Sequence, residues 1–171
     1  MEGVNFEIDE RTLSLRITAA AALETRGRTP RILDAGCGNG YMAKAFAERV
    51  GAEGKVYAID PDVGAINSLM LETPGSPIEA LVGDVTEPMP LESGSVDLIY
   101  LSTVFHGFVP AQRLLKPGGT LAVVEIKKEE LPVGPPPEKK FTPEELMALI
   151  PLAPSGTVAL GDYLYLQKFT A

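Results

Sequence analysis

The sequence predicts a doubly wound α/β domain, built on a mostly parallel sheet that closes with an antiparallel C-terminal hairpin. Three observations predict it. Strand-like and helix-like runs alternate from Arg31 to Ile126. The strand-like runs are apolar almost throughout rather than at every second position, the pattern of strands covered on both faces. The last two runs, Thr157-Val-Ala-Leu160 and Tyr163 to Phe169, flank Gly161-Asp162, a pair suited to a tight turn. A chain of 171 residues suits one domain.

The elements follow in order. Arg31-Ile-Leu-Asp34 is the first strand, and Tyr41 to Val50 carries Met42, Ala45, Phe46, Ala47 and Val50 at helical spacing. Lys55 to Ile59 is the second strand. Pro61 to Glu72 is the second helix, with Val63, Ile66, Leu69 and Met70 recurring behind a proline suited to a first turn. Pro77 to Gly83, Ser95 to Leu101 and Gly119 to Ile126 supply three more strands. Phe141 to Ile150 opens with Thr142 as N-cap, Pro143 in the first turn and two acids behind it, a helix start. Ahead of them all, Thr12 to Thr25 is an alanine-rich helical stretch that could pack on a face of the sheet. The connector Lys127 to Lys140 holds Pro132, Gly134, Pro135, Pro136 and Pro137. It reads either as a stiff spacer or, since it leaves the C-terminal end of a parallel strand where such sheets bind ligands, as a wall of a substrate pocket.

Composition bounds the function. Apolar residues at 45% and charged residues at 22% suffice for a folded core. A net charge of −8 has the wrong sign for gathering nucleic-acid phosphates, so no nucleic-acid partner is expected. The longest apolar runs, such as Leu121 to Val124, fall far short of the ~18–20 residues of a membrane helix. The start Met-Glu-Gly-Val-Asn lacks a basic segment followed by an apolar one, so the chain reads as cytoplasmic with no membrane partner. One cysteine, Cys37, excludes an intrachain disulfide, and one histidine, His106, leaves no Cys/His cluster for a structural metal.

The chemistry gathers at strand ends. In Ile32-Leu-Asp-Ala-Gly36-Cys-Gly38-Asn-Gly40, three alternating glycines let the backbone turn sharply and let a ligand approach bare main chain near helix N-terminal amides. The spacing is Gly-x-Gly-x-Gly rather than the Gly-x-Gly-x-x-Gly of pyrophosphate sites, and Asp34 stands just ahead of it. A carboxylate there suits a cationic ligand. Asp60 ends the second strand, where an acid can accept hydrogen bonds from both hydroxyls of a ribose. Asp84 follows the third strand and could accept from an adenine amino group, with Val85 along the ring. Three acids then surround a nucleoside at one edge of the sheet.

These segments, Leu33-Asp-Ala-Gly-Cys-Gly-Asn-Gly, Val56-Tyr-Ala-Ile-Asp60, Gly83-Asp84, Ser95-Val-Asp-Leu-Ile-Tyr and Leu115-Lys-Pro-Gly-Gly-Thr-Leu-Ala-Val-Val, resemble the class I S-adenosylmethionine-dependent methyltransferases in order and spacing. The resemblance implies a Rossmann-like, seven-stranded sheet whose last strand runs antiparallel, and S-adenosyl-L-methionine as cofactor. It places Asp34, Gly36, Gly38 and Gly40 around the methionine end, with Cys37 in the same loop. Asp60 would meet the ribose, with Pro61 beside it, and Asp84 and Val85 the adenine. Ser102 would stand near the transferable methyl group. The Gly134-Pro-Pro loop before Phe-Thr-Pro-Glu-Glu-Leu is similar to that of a subset of small methyltransferase-domain proteins.

The methyl acceptor is expected to be a small molecule. Displacement of methyl from a sulfonium needs no dedicated acid or base, because orientation and exclusion of water supply much of the rate. His106, just past the fourth strand, reads first as a capping or packing histidine, with deprotonation of an acceptor as its alternative role. Cys37 reads as a small apolar filler, and Tyr41 as a helix-packing aromatic at the pocket's edge. The stretch from Ser102 to Lys116 is short for a full helical crossover. Where amino methylases carry a Pro-Pro-Tyr motif, this chain has Leu101-Ser-Thr-Val-Phe-His106. The acceptor pocket would be lined by Phe105, Phe108 and the proline connector, and a partner subunit, such as a second copy of this chain, could complete it. Two other readings remain open: a noncatalytic cofactor-binding partner or assembly subunit, and a nicotinamide-dependent oxidoreductase.

Overall fold

The computed structural model of the chain describes residues 29–103, 110–132 and 134–171, so the expected helix over residues 12–25 lies outside the described residues. Among these residues, β1 (Arg31–Ala35), α1 (Tyr41–Val50), β2 (Lys55–Asp60), α2 (Val63–Glu72), β3 (Ile78–Val82), β4 (Val96–Ser102), β5 (Leu115–Ile126), α3 (Pro143–Leu149), β6 (Ala153–Leu160) and β7 (Leu164–Thr170) follow in order. Seven strands form one sheet in the order β3-β2-β1-β4-β5-β7-β6. β1 to β5 pair in parallel, and β7 runs antiparallel to both β5 and β6. The strand order reverses at β1, where the chain leaves toward β2 on one side and has β4 on the other. That reversal opens a crevice at the C-terminal ends of β1 and β4.

Both faces are covered, as the near-continuous apolar strands require. Leu33, Ile59, Ile99, Leu121 and Phe169 pack on one face with Leu146 and Ile150 at α3. Ile32, Ala58, Leu98, Tyr100, Ala122 and Leu166 pack on the other with Phe46 of α1 and Leu69 of α2. Phe46 meets Tyr100 edge to face at 5.3 Å between centroids, a geometry that aligns ring edge and ring face. By the two-residue alternation of a strand, Asp34 points to the second face, beside Tyr100.

Local signals set most element ends, and long-range pairing moved several. α3 starts as its sequence requires, with Glu145 N donating to Thr142 Oγ1 at 3.1 Å and Thr142 N donating to Glu145 Oε2 at 2.8 Å, a capping box. Tyr165 Oη ties the start of this segment to the sheet by donating to Phe141 O at 2.6 Å. α2 starts at Val63 rather than at Pro61, because the Asp62 side chain caps it by accepting from Ala65 N at 3.1 Å. β5 begins at Leu115 instead of Gly119, taking in the Lys-Pro-Gly-Gly run through a register shift against Val96 and Leu98. β6 extends back to Ala153 because β7 offers it a complete partner strand. The crossover between β4 and β5 contains, among its described residues, a 3₁₀ turn at Pro110–Leu114. Asp97, in the Ser-Val-Asp-Leu run, sits at the opposite end of the sheet from the crevice. There it accepts from Arg31 N at 2.8 Å and Lys116 Nζ at 3.0 Å.

Gly40 shows how the entry to α1 is fixed. Its φ of +78° is left-handed, and a Cβ built there would lie 2.4 Å from Leu69 Cδ1 of α2. Gly40→Ala combines a left-handed alanine with a clash against a fully buried leucine, and is expected to destabilise the fold by about 2–4 kcal/mol. Chemical denaturation of the two proteins measures this; an unchanged midpoint would contradict the packing assigned to the loop.

Candidate functional site

The loop after β1 is fastened to the end of β2. Gly36 N and Cys37 N both donate to Ile59 O, at 2.8 and 2.9 Å, and Gly38 N donates to Asp60 Oδ2 at 2.8 Å. Asp62 N takes the other oxygen, Asp60 Oδ1, at 2.9 Å. Gly36, Gly38 and Gly40 all have positive φ, which is what lets successive amides turn toward β2. A Cβ on Gly38 would meet nothing within 4 Å, so its backbone faces open space that a ligand can enter. Gly40 serves the packing already described, and it does not line the pocket below.

Asp34 is the site's electrostatic anomaly. It is 2% exposed, and its Oδ2 is buried with no hydrogen-bond partner among the described residues. Burial pushes its pKa up to about 7; the Ala43 amide opposes the shift and the Asp60 charge adds to it. The Cys37 thiol is likewise pushed up to about 12, by burial first and then by the charges of Asp34 and Asp60, so it stays protonated and unreactive at neutral pH. Burial also raises the Tyr100 phenol above its ordinary value; the Ser102 hydroxyl opposes this and the Asp34 charge reinforces it. Tyr100 therefore remains a neutral hydrogen-bonding group.

These residues border a pocket of about 270 Å³. Asp34, Gly36, Cys37 and Gly38 come from β1 and its loop, Tyr41 and Met42 from the start of α1, Tyr100 and Ser102 from β4, Val124 from β5, and Leu164 from β7. One side is polar and one apolar. The structure thus brings Asp34, Gly36, Cys37, Gly38 and Ser102 together, with Asp60 directly behind the loop. Pro61 is exposed beside Asp60. Asp84 reaches the same edge of the sheet because Gly83 N donates to Asp60 O at 3.0 Å. Asp84 Oδ1 accepts from Thr86 N at 2.8 Å and Thr86 Oγ1 at 2.7 Å, while Val85 packs against the core.

Other expectations fall elsewhere. His106, Phe105 and Phe108 lie outside the described residues. No described residue of the connector 127–140 lines this pocket. Two of its lysines turn back on nearby carbonyls instead: Lys140 Nζ donates to Glu129 O at 2.7 Å and Lys127 Nζ to Gly161 O at 3.3 Å. Sequence reasoning did not single out Tyr100, Met42, Val124 or Leu164 for the site. For Tyr100 a signal exists, an aromatic hydroxyl within an otherwise aliphatic strand run, two residues before Ser102 and so on its face. A larger cavity of about 440 Å³ opens at the opposite edge of the sheet, by Arg31, Glu53, Lys55, Tyr57 and Glu79. Lys55 and Glu79 neutralise each other there at 3.0 Å. Among the described residues no group of three or more His, Cys, Asp or Glu is placed to hold a metal ion, and no helix is long and apolar enough to cross a membrane.

Comparison with known proteins is consistent with this geometry. Residues 33–123 match the family described as methyltransferase domain. A ubiquinone/menaquinone biosynthesis C-methyltransferase of Hydrogenovibrio crunogenus is 29% identical over 149 residues, 75% of this chain and 57% of the relative. A protein of the same name from Bordetella avium is 31% identical over 118 residues, 61% of this chain and 44% of the relative. The chain spans about half the length of the curated relatives it matches. Among solved structures, a SAM-dependent methyltransferase from Aquifex aeolicus superposes with a TM-score of 0.81 at 24% identity, covering 95% of this chain and 93% of that one. A chain from a complex between the Haloferax volcanii Trm112 methyltransferase activator and a methyltransferase gives 0.55 at 23% identity, over 66% and 50% of the two chains. At these identities the structural likeness speaks for the fold.

The raised pKa of Asp34 has a definite sign. Its carboxyl binds a proton more tightly folded than unfolded, so between about pH 4 and 7 ionisation progressively favours the unfolded chain. The ligand-free protein is expected to lose on the order of 4 kcal/mol through this group as pH rises across that window. Asp34→Asn removes that part of the slope. Denaturant titrations of both proteins at a series of pH values from about 4 to about 8 measure it, and parallel pH profiles would refute the assignment.

Proposed function

This chain belongs to the methyltransferase-domain family, whose cofactor is S-adenosylmethionine, and we propose that it transfers the methyl group of that cofactor to a carbon atom of a small molecule. The observation that carries the proposal is the buried Oδ2 of Asp34, without a hydrogen-bond partner among the described residues, in a pocket that glycine backbone helps to line. Such an atom is costly unless a donor or a cation reaches it, and the methionine end of S-adenosylmethionine carries both an ammonium and a sulfonium. The residues present therefore fit the group. When bound, the cofactor supplies a methyl carbon on a positively charged sulfur, open to direct displacement by a nucleophile.

Each part of the chain has a role in this reading. Asp34 balances the cationic end, and Gly36, Cys37, Gly38 and Gly40 shape the loop beside it. Asp60, flanked by Pro61, already accepts one amide on each oxygen; each oxygen keeps a lone pair for a ribose hydroxyl. Asp84 and Val85 take the adenine. Ser102 stands at the methyl end, where the wall of Tyr41, Met42, Val124 and Leu164 orients an acceptor and keeps water away. His106 is the proposed acceptor of the proton that a methylated carbon gives up. Carbon as the acceptor atom is supported by the names of the relatives from H. crunogenus and B. avium and by the apolar wall. The short crossover before β5 favours a second reading, a cofactor-binding subunit that works with a partner, whether a second copy or an activator like that of the H. volcanii neighbour.

Calorimetric titration with S-adenosylmethionine and S-adenosylhomocysteine tests the cofactor, and transfer of labelled methyl to a panel of phenols, quinols and amines tests the acceptor. Absence of heat with both ligands would end both readings; tight binding with no turnover favours the second. Asp60→Ala is expected to weaken cofactor binding by roughly 1.5–3 kcal/mol, since it loses charged hydrogen bonds and the tether of the glycine loop together. An unchanged dissociation constant contradicts the ribose role. Binding of a cation to Asp34 should also release a proton near pH 7, so affinity rises with pH up to about 8 in the wild type and stays flat in Asp34→Asn. Titrations in buffers of different ionisation enthalpy read the proton directly.

A further inference from the structure

We propose that Arg113 is a positioning residue for the adenine end of the site, acting at a distance through the loop between β3 and β4; the inference rests on the reading that Asp84 and Val85 meet adenine. Residues 83–95 connect those strands without a helix or strand of their own, and a connection of that length needs anchors to hold one shape. Its first part braces itself: Asp84 Oδ1 accepts from Thr86, and Glu87 N donates to Asp84 O at 3.0 Å. That turn is nonetheless exposed at Asp84, Thr86 and Glu87, so its placement depends on what holds the chain just beyond it.

Arg113 holds it. From the 3₁₀ turn that precedes β5, its Nη2 donates to Met89 O at 2.9 Å, and its Nη1 donates to Leu91 O at 3.0 Å and Ser93 Oγ at 3.2 Å. Its own carbonyl accepts from Gly94 N at 3.0 Å. One planar guanidinium thus spans three acceptors along a single loop, a geometry that a fork of fixed N–H groups satisfies and a lysine's single nitrogen does not. Met89 is 7% exposed and belongs to the same apolar cluster against which Val85 packs. Fixing the Met89 carbonyl therefore fixes the anchor from which the Asp84–Glu87 turn projects. Arg113 does not line the pocket, so its influence on ligand passes through the loop.

The test uses the full chain and two ligands that differ only at the purine, S-adenosylhomocysteine and its 6-oxo counterpart S-inosylhomocysteine. Calorimetry on wild type, Arg113→Lys, Arg113→Gln and the milder Ser93→Ala gives the ratio of the two affinities, and thermal unfolding without ligand gives stability. Wild type is expected to prefer the amino form. The arginine variants are expected to bind the adenosyl ligand roughly tenfold more weakly, with the adenosyl-to-inosyl ratio falling toward one and hydrogen exchange accelerating at the amides of Leu91 and Gly94. Ser93→Ala moves the ratio in the same direction by less, and decides the matter should both arginine variants fail to fold. A merely structural role would lower the unfolding midpoint and weaken both ligands alike, leaving the ratio intact; that result in a folded variant overturns the proposal. Wild type that binds neither ligand overturns the cofactor reading itself. Wild type that binds both equally overturns the adenine assignment and the inference with it.

Discussion

Ile59 O accepts the amides of both Gly36 and Cys37, and the remainder of the site depends on that shared acceptor. β1 and β2 pair in register up to Ala35 and Ile59, so the first amides beyond the strand find the last carbonyl of the neighbouring one. The sheet thereby extends its ladder into the loop for one more step. The Gly38 amide then passes to the Asp60 carboxylate, and the turn is closed. Every ligand-facing atom of the loop inherits its place from parallel pairing in the centre of the sheet, where the backbone is least able to move. Asp60 thus has a structural task, and in the proposed reading it meets the ligand as well.

That rigid frame makes the exposure of a bare carboxylate to a low-dielectric pocket tolerable. Asp34 lies between β2 and β4, under α1, with one oxygen unpaired among the described residues. A flexible site would relieve the strain by letting water in or turning the side chain out. Here the Ala43 amide holds one charge-stabilising contact and the packing of Phe46 on Tyr100 closes the face beside it. The cost is conditional on protonation, and it is removed when a cation occupies the pocket. Binding energy for a cationic ligand is thus prepared in the folded state by desolvation of its counter-ion.

The antiparallel end of the sheet contributes in another way. β7 inserts between β5 and β6, which sets Leu164 opposite Ile126, two residues along from Val124, and lets Leu164 and Val124 share the pocket's apolar wall. The last residues of the chain seal the lower edge, where Gly118 N donates to Ala171 O and Ala171 N to Gly119 O, both at 2.9 Å. Loops at the upper edge are secured from below by side chains that never reach the pocket, Arg113 foremost. Site geometry in this molecule is held by the elements that surround the ligand as much as by those that touch it.

Much of this was legible before any coordinates. The alternation of apolar runs and amphipathic ones gave the layered α/β order, Thr142 with Pro143 and the acids behind it gave the start of α3, and Asp34, Asp60 and Asp84 at successive strand ends marked one edge of the sheet as acidic, because each depends on local periodicity or spacing. The start of β5 and the length of β6 shifted because a strand forms where another strand is available to pair with it, which linear periodicity does not show; the start of α2 moved for a local reason, the Asp62 cap on Ala65 N. Within the proline connector, Lys140 and Lys127 found carbonyls, Glu129 O and Gly161 O, that linear spacing does not reveal. The sequence by itself determined which chemical groups gather at one edge of a parallel sheet. Only the tertiary structure decided that Asp34 is sealed from water, that Gly40 is needed by Leu69 rather than by open space, and that Tyr100, Val124 and Leu164 complete the pocket, since burial and contact are properties of the whole packed chain.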